Sequence, residues 1–319
     1  MKHNDIINNI SQLFHNDLDE GSFKLFPVED ESIFYGIDHN RNIVFAIESL
    51  NPRVSPILQK TGKLRFTYNT KCMVHLESGK KESYMHILTC YSKDEEDVEA
   101  FIRLTDSFVL SNNENKYPIA SLFTSLSSLF VNDYASVNLN QARGFYAELY
   151  TIKYFHDNSV DIYSYWQKKE RLNFDFSITS RKRLEVKSTI TSIRNHHFLH
   201  EQLIGDIYDI YVVSIMLRND DKGLSLSSLI SEVREIARNS FDTLLYIDKL
   251  VRGIQDEDIS MIRFDEEYTR RNIRFYNAKV IPKFDSEQPE GVSQTEYNSD
   301  LTNIPSTAFE IVRKWIQNE

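Results

Sequence analysis

The chain has little of what characterises secreted or membrane proteins. Its 319 residues include two cysteines, Cys72 and Cys90, which are too few for a disulfide framework and lack the neighbouring Cys and His residues of a zinc site. The longest apolar run, Tyr211–Leu217, is interrupted by Ser214 and is far too short to span a bilayer. No basic segment followed by an apolar one begins at Met1, so we expect a cytoplasmic protein with no membrane contact.

The chain also lacks an excess of positive charge. Its 47 Asp and Glu residues outnumber its 37 Lys and Arg residues, and the formal net charge is −10 at pH 7. This acidity disfavours a nucleic-acid partner, since non-specific binding depends on neutralising phosphates. The charge is unevenly distributed, however. Between Gln141 and His200 there are ten Lys and Arg residues and six Asp and Glu residues, a local balance of +4. An anionic substrate steered to this segment is therefore compatible with the composition.

The length and the residue patterns predict two domains. Residues 1–131 contain strand-like alternating runs separated by polar turns, which predicts a β-rich α+β domain, and we assign target or partner recognition to it. Residues 132–319 combine helical patterns with a nearly continuous apolar run at Ile207–Leu217, which suits a strand covered on both faces. We expect this second domain to be α/β, with a polar loop from Phe284 to Leu301.

A helix is predicted from about Asn140 to His156, with Asn138 or Asn140 as its N-cap. Its apolar stripe contains Glu148, and a carboxylate there is costly unless it has partners. A strand is predicted next, at Val160–Trp166, with the side chain of Trp166 assigned to core or turn packing. Glu148 therefore has two interpretations. It is either a structural acid paired with Arg143 or Lys187, or a member of a functional site.

A β-hairpin is predicted from Asn173 to Thr189, which reads NFDFSITSRKRLEVKST. Two runs that alternate apolar and polar residues flank a basic tip. A three-residue loop at 180–182 would set these opposite pairs: Thr179 with Arg183, Ser177 with Glu185, and Asp175 with Lys187. Because side chains alternate faces along a strand, Asp175, Glu185 and Lys187 then converge on one patch. A one-residue slip would send one strand's side chains to the other face.

Carboxylates and a lysine on one patch are what a metal-dependent phosphodiesterase needs. Mg²⁺ prefers oxygen ligands, so Asp175, Glu185 and the Val186 carbonyl are candidate metal ligands. The metal would polarise the scissile phosphate and lower the pKa of an attacking water. Lys187 would orient that water or stabilise developing negative charge. Glu148 joins this site if its helix packs against the same face.

The Glu-any-Lys triplet at 185–187 carries little information alone, because about one copy is expected by chance in a chain this long. The same pattern occurs at Glu114–Lys116, and its aspartate version at Asp220–Lys222, both in polar stretches. Only 185–187 has an apolar strand around it, an acid ten positions upstream and a preceding helix with an acid in its stripe. The alternative is a surface ion pair between Glu185 and Lys187, which would contribute little stability.

With these residues the chain resembles the PD-(D/E)XK nuclease superfamily, and more particularly a PD-(D/E)XK family encoded beside restriction and phage-defence genes. The resemblance rests on the helix with Glu148, on Asp175, on LEVKST around Glu185, on HEQL at 200–203 and on the apolar strand that follows. It departs at Phe174, where the nominal motif has proline. The resemblance implies a restriction-endonuclease-like fold, a mixed central sheet flanked by helices, and Mg²⁺-dependent hydrolysis of phosphodiester bonds, usually in DNA.

The resemblance also implies roles for particular residues. Asp175, Glu185, Lys187 and Glu148 would be catalytic, Mn²⁺ could replace Mg²⁺, and Gln202 of the HEQL segment would be an accessory residue. The basic residues expected to contact DNA are Lys168, Lys169, Arg171, Arg181, Lys182, Arg183 and Arg194. Double-stranded DNA is the favoured partner, with RNA or branched DNA left open. Other defence-system proteins and a second copy of the chain, as a homodimer, are further expected partners. The alternative function is a catalytically inactive nuclease-fold subunit that binds nucleic acid or scaffolds a defence complex.

Overall fold

The computed structural model describes residues 3–14, 18–28, 30–49, 57–76, 79–112, 118–131, 137–166, 174–204, 207–254, 259, 261–284, 292 and 294–317. Contacts divide the chain into two compact units, Met1–Asp133 with Asn239–Asp248, and Tyr134–Arg238 with Lys249–Glu319. The structure is mixed α/β, as predicted. No helix in the described ranges combines the length and the hydropathy needed to cross a membrane.

The first unit is built on a six-stranded antiparallel sheet with the strand order β1-β2-β3-β6-β5-β4. Its strands are β1 (Phe23–Val28), β2 (Asp30–Asp38), β3 (Ile43–Glu48), β4 (Ile57–Lys60), β5 (Leu64–Leu76) and β6 (Gly79–Cys90). Its helices are α1 (His3–Leu13), α2 (Glu95–Ser111) and α3 (Ile119–Leu129). Asp94 caps α2 by accepting hydrogen bonds from the backbone N–H groups of Glu96 and Asp97. The recognition role suggested for residues 1–131 stays a prediction.

The second unit contains a four-stranded mixed sheet with the strand order β13-β10-β8-β7. Its strands are β7 (Phe176–Ser177), β8 (Lys182–Thr189), β10 (Asp209–Met216) and β13 (Arg274–Asn277). β8 and β10 are parallel, while β7 and β13 run antiparallel to their neighbours. Apart from Asp209, every residue of β10 is buried, which accounts for the continuous apolar run in the sequence.

Two short pairs of strands and several helices complete this part of the chain. β9 (Asn195–Leu199) pairs with β14 (Glu296–Asp300), and β11 (Asn219–Ser225) pairs with β12 (Arg263–Phe264). The helices are α4 (Leu139–Asp157), α5 (Leu226–Ile236), α7 (Glu266–Asn272) and α8 (Phe309–Gln317), while α6 (Phe241–Arg252) begins within the Asn239–Asp248 segment of the first unit. The strand β14 corrects the predicted polar loop from Phe284 to Leu301, because its backbone pairs with β9 although its side chains are polar.

The helix α4 forms as predicted, and its start is fixed by a capping box in which the side chains of Asn138 and Gln141 each accept a hydrogen bond from the other residue's backbone N–H. One face of the helix is buried, and it packs against β8 and α5. Glu148 follows the buried Ala147 and precedes the buried Leu149. The amphipathic pattern of α4 therefore brings a carboxylate to the β8 side of the unit.

The hairpin of β7 and β8 forms, but its register differs from the predicted one by two residues. Phe176 pairs with Leu184 and Ser177 with Arg183. The turn comes one residue earlier, at 179–181, because the Thr179 hydroxyl accepts hydrogen bonds from the N–H groups of Arg181 and Lys182 at 3.2 and 3.1 Å. A shift of two residues preserves the face of every side chain, so the polar patch survives the error in pairing.

The strand predicted at Val160–Trp166 is wrong. This segment contains a 3₁₀ turn at Tyr163–Tyr165, and the backbone of Trp166 alone forms an isolated antiparallel bridge, with Phe176. The alternating pattern reflects burial of single side chains, Val160, Ile162 and Trp166, against the core. Trp166 thereby lies beside the hairpin.

Candidate active site

The strand β8 supplies an acid and a base to the same face of the sheet. Glu185 and Lys187 are two residues apart, while Leu184 and Val186 are buried on the opposite face. Glu185 is 3% exposed, because β8 lies between β7 and β10. The Lys187 side chain keeps 20% of its area exposed. Glu185 is thus buried, while the Lys187 side chain extends to the solvent-accessible surface.

Asp175 joins this patch from the start of β7. Its Oδ2 accepts a hydrogen bond from the Val186 N–H at 2.6 Å. The Asp175 side chain therefore satisfies a backbone N–H group of β8 that would otherwise need a carbonyl from a neighbouring strand. Continuing the observed pairing by one residue places Asp175 beside Glu185. Asp175 is half-buried, and its second carboxylate oxygen, Oδ1, is not used in the bond to Val186.

The Lys187 ammonium is held by two oxygens and one aromatic ring. Its Nζ lies 2.7 Å from Oε1 of Glu185 and donates to Oε1 of Gln202 at 3.0 Å. It also lies 5.3 Å from the centre of the Phe198 ring, within the range of a cation–π contact. The Lys187 ammonium is therefore held in one position by three contacts, whereas an ion pair on the surface would involve only one.

Gln202 determines which oxygen of Glu185 is free. It lies on a 3₁₀ turn, His200–Gln202, and its Oε1 accepts a hydrogen bond from the Leu199 N–H at 3.1 Å. A backbone N–H can only donate, so the amide nitrogen must point the other way, where it donates to Glu185 Oε1 at 2.7 Å. Oε2 of Glu185 is buried and has no hydrogen-bond partner among the described residues.

Glu148 reaches the patch from α4. Its carboxylate interacts electrostatically with Asp175, Glu185 and Lys187, and its Oε2 accepts a hydrogen bond from the Trp166 indole N–H at 2.6 Å. Asp175, Glu185 and Lys187 are thus neighbours, as the alternation pattern predicted, and Glu148 joins them because α4 packs against β8, the condition set for it. Their catalytic roles stay a prediction. The contact with Trp166 was missed, because Trp166 was assigned to packing alone.

Burial raises the pKa of all three carboxyl groups. Desolvation and the charge of Asp175 raise the pKa of Glu185 to about 8, against the attraction of Lys187. Desolvation raises the pKa of Asp175 to about 6, against its bond from the Val186 N–H and the charge of Lys187. Burial and Asp175 together raise the pKa of Glu148 well above its usual range. Carboxyl groups clustered in this way are typical of functional sites.

The patch fits a divalent cation in the chemistry of its donors. Carboxylate oxygens are the ligands that Mg²⁺ prefers, and Oε2 of Glu185 is a buried carboxylate oxygen whose hydrogen-bonding capacity is unused in the described structure. A cation would also offset the repulsion between Asp175 and Glu185. The described ranges contain no group of three or more His, Cys, Asp and Glu side chains already arranged as a ligand set. Two carboxylates, Asp175 and Glu185, are the side-chain donors that fit, because the hairpin pairing places them side by side.

Comparison with known protein families assigns the chain to one family. A family model described as "Putative PD-(D/E)XK family member (DUF4420)" matches residues 12–302 of the chain. The chain belongs to this family. The match confirms the resemblance found in the sequence and points to a nuclease-like function. Searches of curated proteins and of solved structures found no match.

The basic residues predicted to contact DNA differ from one another in their surroundings. Lys168, Lys169 and Arg171 lie outside the described residues. Arg181 is exposed in the hairpin turn. Lys182 donates to the Trp315 carbonyl at 2.8 Å, and the Arg183 guanidinium lies 4.3 Å from the centre of the Tyr208 ring. Of these, Arg181 keeps the exposed position that a phosphate contact needs.

Arg194 requires a correction. It is buried rather than on the DNA-facing surface, and its guanidinium is occupied by the chain itself. Nη1 donates to the Ser214 carbonyl at 3.0 Å and to the Ser214 hydroxyl at 2.8 Å, and Nη2 donates to the Asn272 carbonyl. These acceptors offset the cost of removing a charged group from water. Arg194 therefore ties β10 to the end of α7.

His196 belongs to the same buried cluster, and its burial predicts a pH dependence of stability. Its Nε2 lies 2.7 Å from the Ser214 hydroxyl. Burial, followed by the charges of Arg194 and Lys187, lowers its pKa to about 4, while Asp300 opposes the shift. The unfolded residue titrates near pH 6.5, so the neutral folded form contributes its full stability above that pH. This contribution is lost as the pH falls from 6.5 towards 4.

We therefore expect that lowering the pH from 7.5 to 5 costs about 2 kcal/mol of unfolding free energy through His196. Urea unfolding of the wild type and of His196→Asn at both pH values measures this difference. The variant should have a smaller pH dependence than the wild type by that amount. Equal pH dependences in the two proteins would show that folding does not lower the pKa of His196.

Proposed function

We propose that the DUF4420 chain is a divalent-metal-dependent endonuclease that hydrolyses phosphodiester bonds in DNA, with a restriction-endonuclease-like catalytic domain in residues 132–319. The observation that carries the proposal is the arrangement around Glu185. Lys187 and Gln202 both occupy its Oε1, and Oε2 is left without a partner in the described structure beside Asp175. Membership of a PD-(D/E)XK family supports the nuclease-like part of the proposal.

Hydrolysis of a phosphodiester requires that a water oxygen bonds to phosphorus while the bond from phosphorus to the leaving oxygen breaks. The water loses a proton and the leaving oxygen gains one. A cation held by Asp175, Glu185 and the Val186 carbonyl would polarise the phosphate and lower the pKa of the water. Lys187 then presents a fixed positive charge to the negative charge that builds up on the phosphate oxygens.

The neighbouring residues keep these groups in place. Gln202 acts as an accessory residue, because its amide bonds both Glu185 and Lys187 and prevents either side chain from rotating. Glu148 adds a third carboxyl group close to Asp175, and its ionised form would strengthen the attraction for a divalent cation. The mixed sheet supplies the rigid support, since Glu185 lies on a strand with a partner on each side.

The substrate and setting that we propose rest on the resemblance and on the local charge. Double-stranded DNA is the favoured substrate, with Mg²⁺ as the cofactor and Mn²⁺ as a substitute. A restriction or phage-defence system in the cytoplasm, with other defence proteins as partners and a homodimer as the assembly, follows from the same resemblance. Residues 1–131 would then recognise the target or the partner.

Incubation of the purified full-length protein with supercoiled plasmid and Mg²⁺, or Mn²⁺, tests the proposal. We expect nicked or linear products that disappear with EDTA and with Asp175→Ala, because that substitution removes one of the two fitting carboxylates. Asp221→Ala is the matched control, since Asp221 belongs to the Asp-Asp-Lys pattern at 220–222 and is exposed. It should cleave at the wild-type rate.

Cleavage that survives Asp175→Ala would identify a contaminating nuclease. Parallel reactions with linear duplex, single-stranded DNA, branched DNA and RNA decide the substrate class. A wild-type protein that cleaves none of them and binds no Mn²⁺ by calorimetry would favour the inactive scaffold.

A further inference from the structure

Trp166 makes a contact that packing does not explain. Its indole N–H donates to Oε2 of Glu148 at 2.6 Å, although the two residues are 18 positions apart and lie on different elements. The Trp166 side chain is 2% exposed, so this N–H has no access to solvent as an alternative acceptor. An indole N–H can donate but cannot accept. The group is thus suited to hold a carboxylate oxygen in one position.

The surroundings of Trp166 connect the two elements that carry the acids. Its ring stacks on Phe145 of α4, with centres 6.1 Å apart and planes 9° apart, and on Phe176 of β7, with centres 6.4 Å apart and planes 19° apart. Phe145 lies three residues before Glu148, and Phe176 directly follows Asp175. The indole is therefore fixed by neighbours of both acids, and its N–H direction follows from theirs.

We infer that Trp166 is a positioning residue that orients the Glu148 carboxylate towards Asp175 and Glu185. The inference rests on the proposed metal-dependent function and deepens it. A donor on Oε2 also favours the charged form of Glu148, in a place where burial and two other acids disfavour it. Without this donor, the carboxylate would be free to rotate away from the patch, and the attraction of the site for a divalent cation would fall.

Nuclear magnetic resonance of the indole N–H group tests the contact itself, without any metal or substrate. The chain has two tryptophans, so the spectrum contains two indole resonances, and Trp166→Phe identifies its own. We expect the Trp166 resonance to be shifted downfield and to exchange slowly with solvent. Glu148→Ala should move it upfield by removing the acceptor. A Trp166 resonance that Glu148→Ala leaves unchanged would overturn the inference.

Binding of Mn²⁺ by calorimetry tests the consequence. Trp166→Phe keeps an aromatic ring in the stack and removes the N–H, and we expect roughly tenfold weaker binding, the size of loss typical when a group that acts on a metal site through a second residue is removed. Trp315→Phe is the matched control, because the same substitution removes the indole N–H of the other tryptophan, which donates to Asp209 and not to the acid cluster. Its Mn²⁺ affinity should stay within about twofold of the wild type.

A double substitution separates positioning from general loosening of the fold. In a Glu148→Ala background, Trp166→Phe should have little further effect on Mn²⁺ affinity, because the group it acts through is gone. A further loss of affinity on Trp166→Phe in the Glu148→Ala background, as large as in the wild type, would reduce Trp166 to a packing residue. If the wild type binds no Mn²⁺ while the indole resonance still responds to Glu148→Ala, the contact is real and the proposed metal-dependent function is wrong.

Discussion

Lys187→Ala is expected to lower the rate of DNA cleavage by roughly 100-fold or more, which is the usual loss when one fixed group that stabilises transition-state charge is removed. The ammonium of Lys187 is held by Glu185 and Gln202 and lies at the edge of the acid cluster. No other described cation is bonded to Glu185. Single-turnover cleavage of a labelled duplex, with enzyme in excess, measures the chemical step directly. The affinity for DNA should change little, because Lys187 is one of ten Lys and Arg residues between Gln141 and His200.

Lys222→Ala is the control for this experiment. Lys222 ends the Asp-Asp-Lys pattern on β11, where the side chain is exposed, and its removal should leave the cleavage rate unchanged. Thermal unfolding of both variants shows whether each is folded at the assay temperature. Full activity of folded Lys187→Ala would exclude the assigned role for the lysine and would leave the triplet at 185–187 as a structural ion pair.

Glu185→Gln is expected to raise the stability of the metal-free protein and to abolish its stabilisation by divalent cations. Glu185 is 3% exposed, its Oε2 has no hydrogen-bond partner within the described ranges, and Asp175 lies beside it. Removing a buried acid of this kind should increase the unfolding free energy by about 1–2 kcal/mol. The wild type should instead gain about 2.7 kcal/mol when Mn²⁺ is present at 100 times its dissociation constant.

Urea unfolding with and without Mn²⁺ measures both effects. Glu82→Gln is a suitable control, because Glu82 forms an exposed ion pair with Lys71 and its loss should change stability by less than about 1 kcal/mol. A Glu185→Gln variant that is less stable than the wild type would mean that the acid is a satisfied structural group. Stabilisation by Mn²⁺ that persists in the variant would place the cation elsewhere.

The local pattern of the sequence was sufficient to bring three of the predicted residues together, while the fourth, Glu148, depended on the packing of α4 against β8. Alternation placed Asp175, Glu185 and Lys187 on one face, and helical periodicity placed Glu148 on the side of α4 that faces the sheet. The exact pairing could not be read in the same way, because it depends on which residue starts the turn. The hydroxyl of Thr179 decides that point, and the resulting shift of two residues leaves the faces unchanged.

Contacts between distant segments were beyond the reach of periodicity. Trp166 lies in a segment whose alternation suggested a strand, and its bond to Glu148 depends on how a 3₁₀ turn presents the indole. Arg194 was counted as a surface cation on composition alone. Its acceptors come from β10 and from Asn272, which is 78 positions away. Charge counts therefore describe a segment better than they describe its individual side chains.

The position of β8 in the interior of its sheet has a consequence for the timing of folding. Its parallel partner β10 spans Asp209–Met216, and β10 in turn pairs with β13 at Arg274–Asn277. A chain still being synthesised therefore carries Glu185 and Lys187 on an unsupported hairpin until residue 216 has left the ribosome. Parallel pairing closes a long loop and is slow to form. A nascent chain of this protein would thus acquire the complete support for Glu185 and Lys187 only when the sheet is finished.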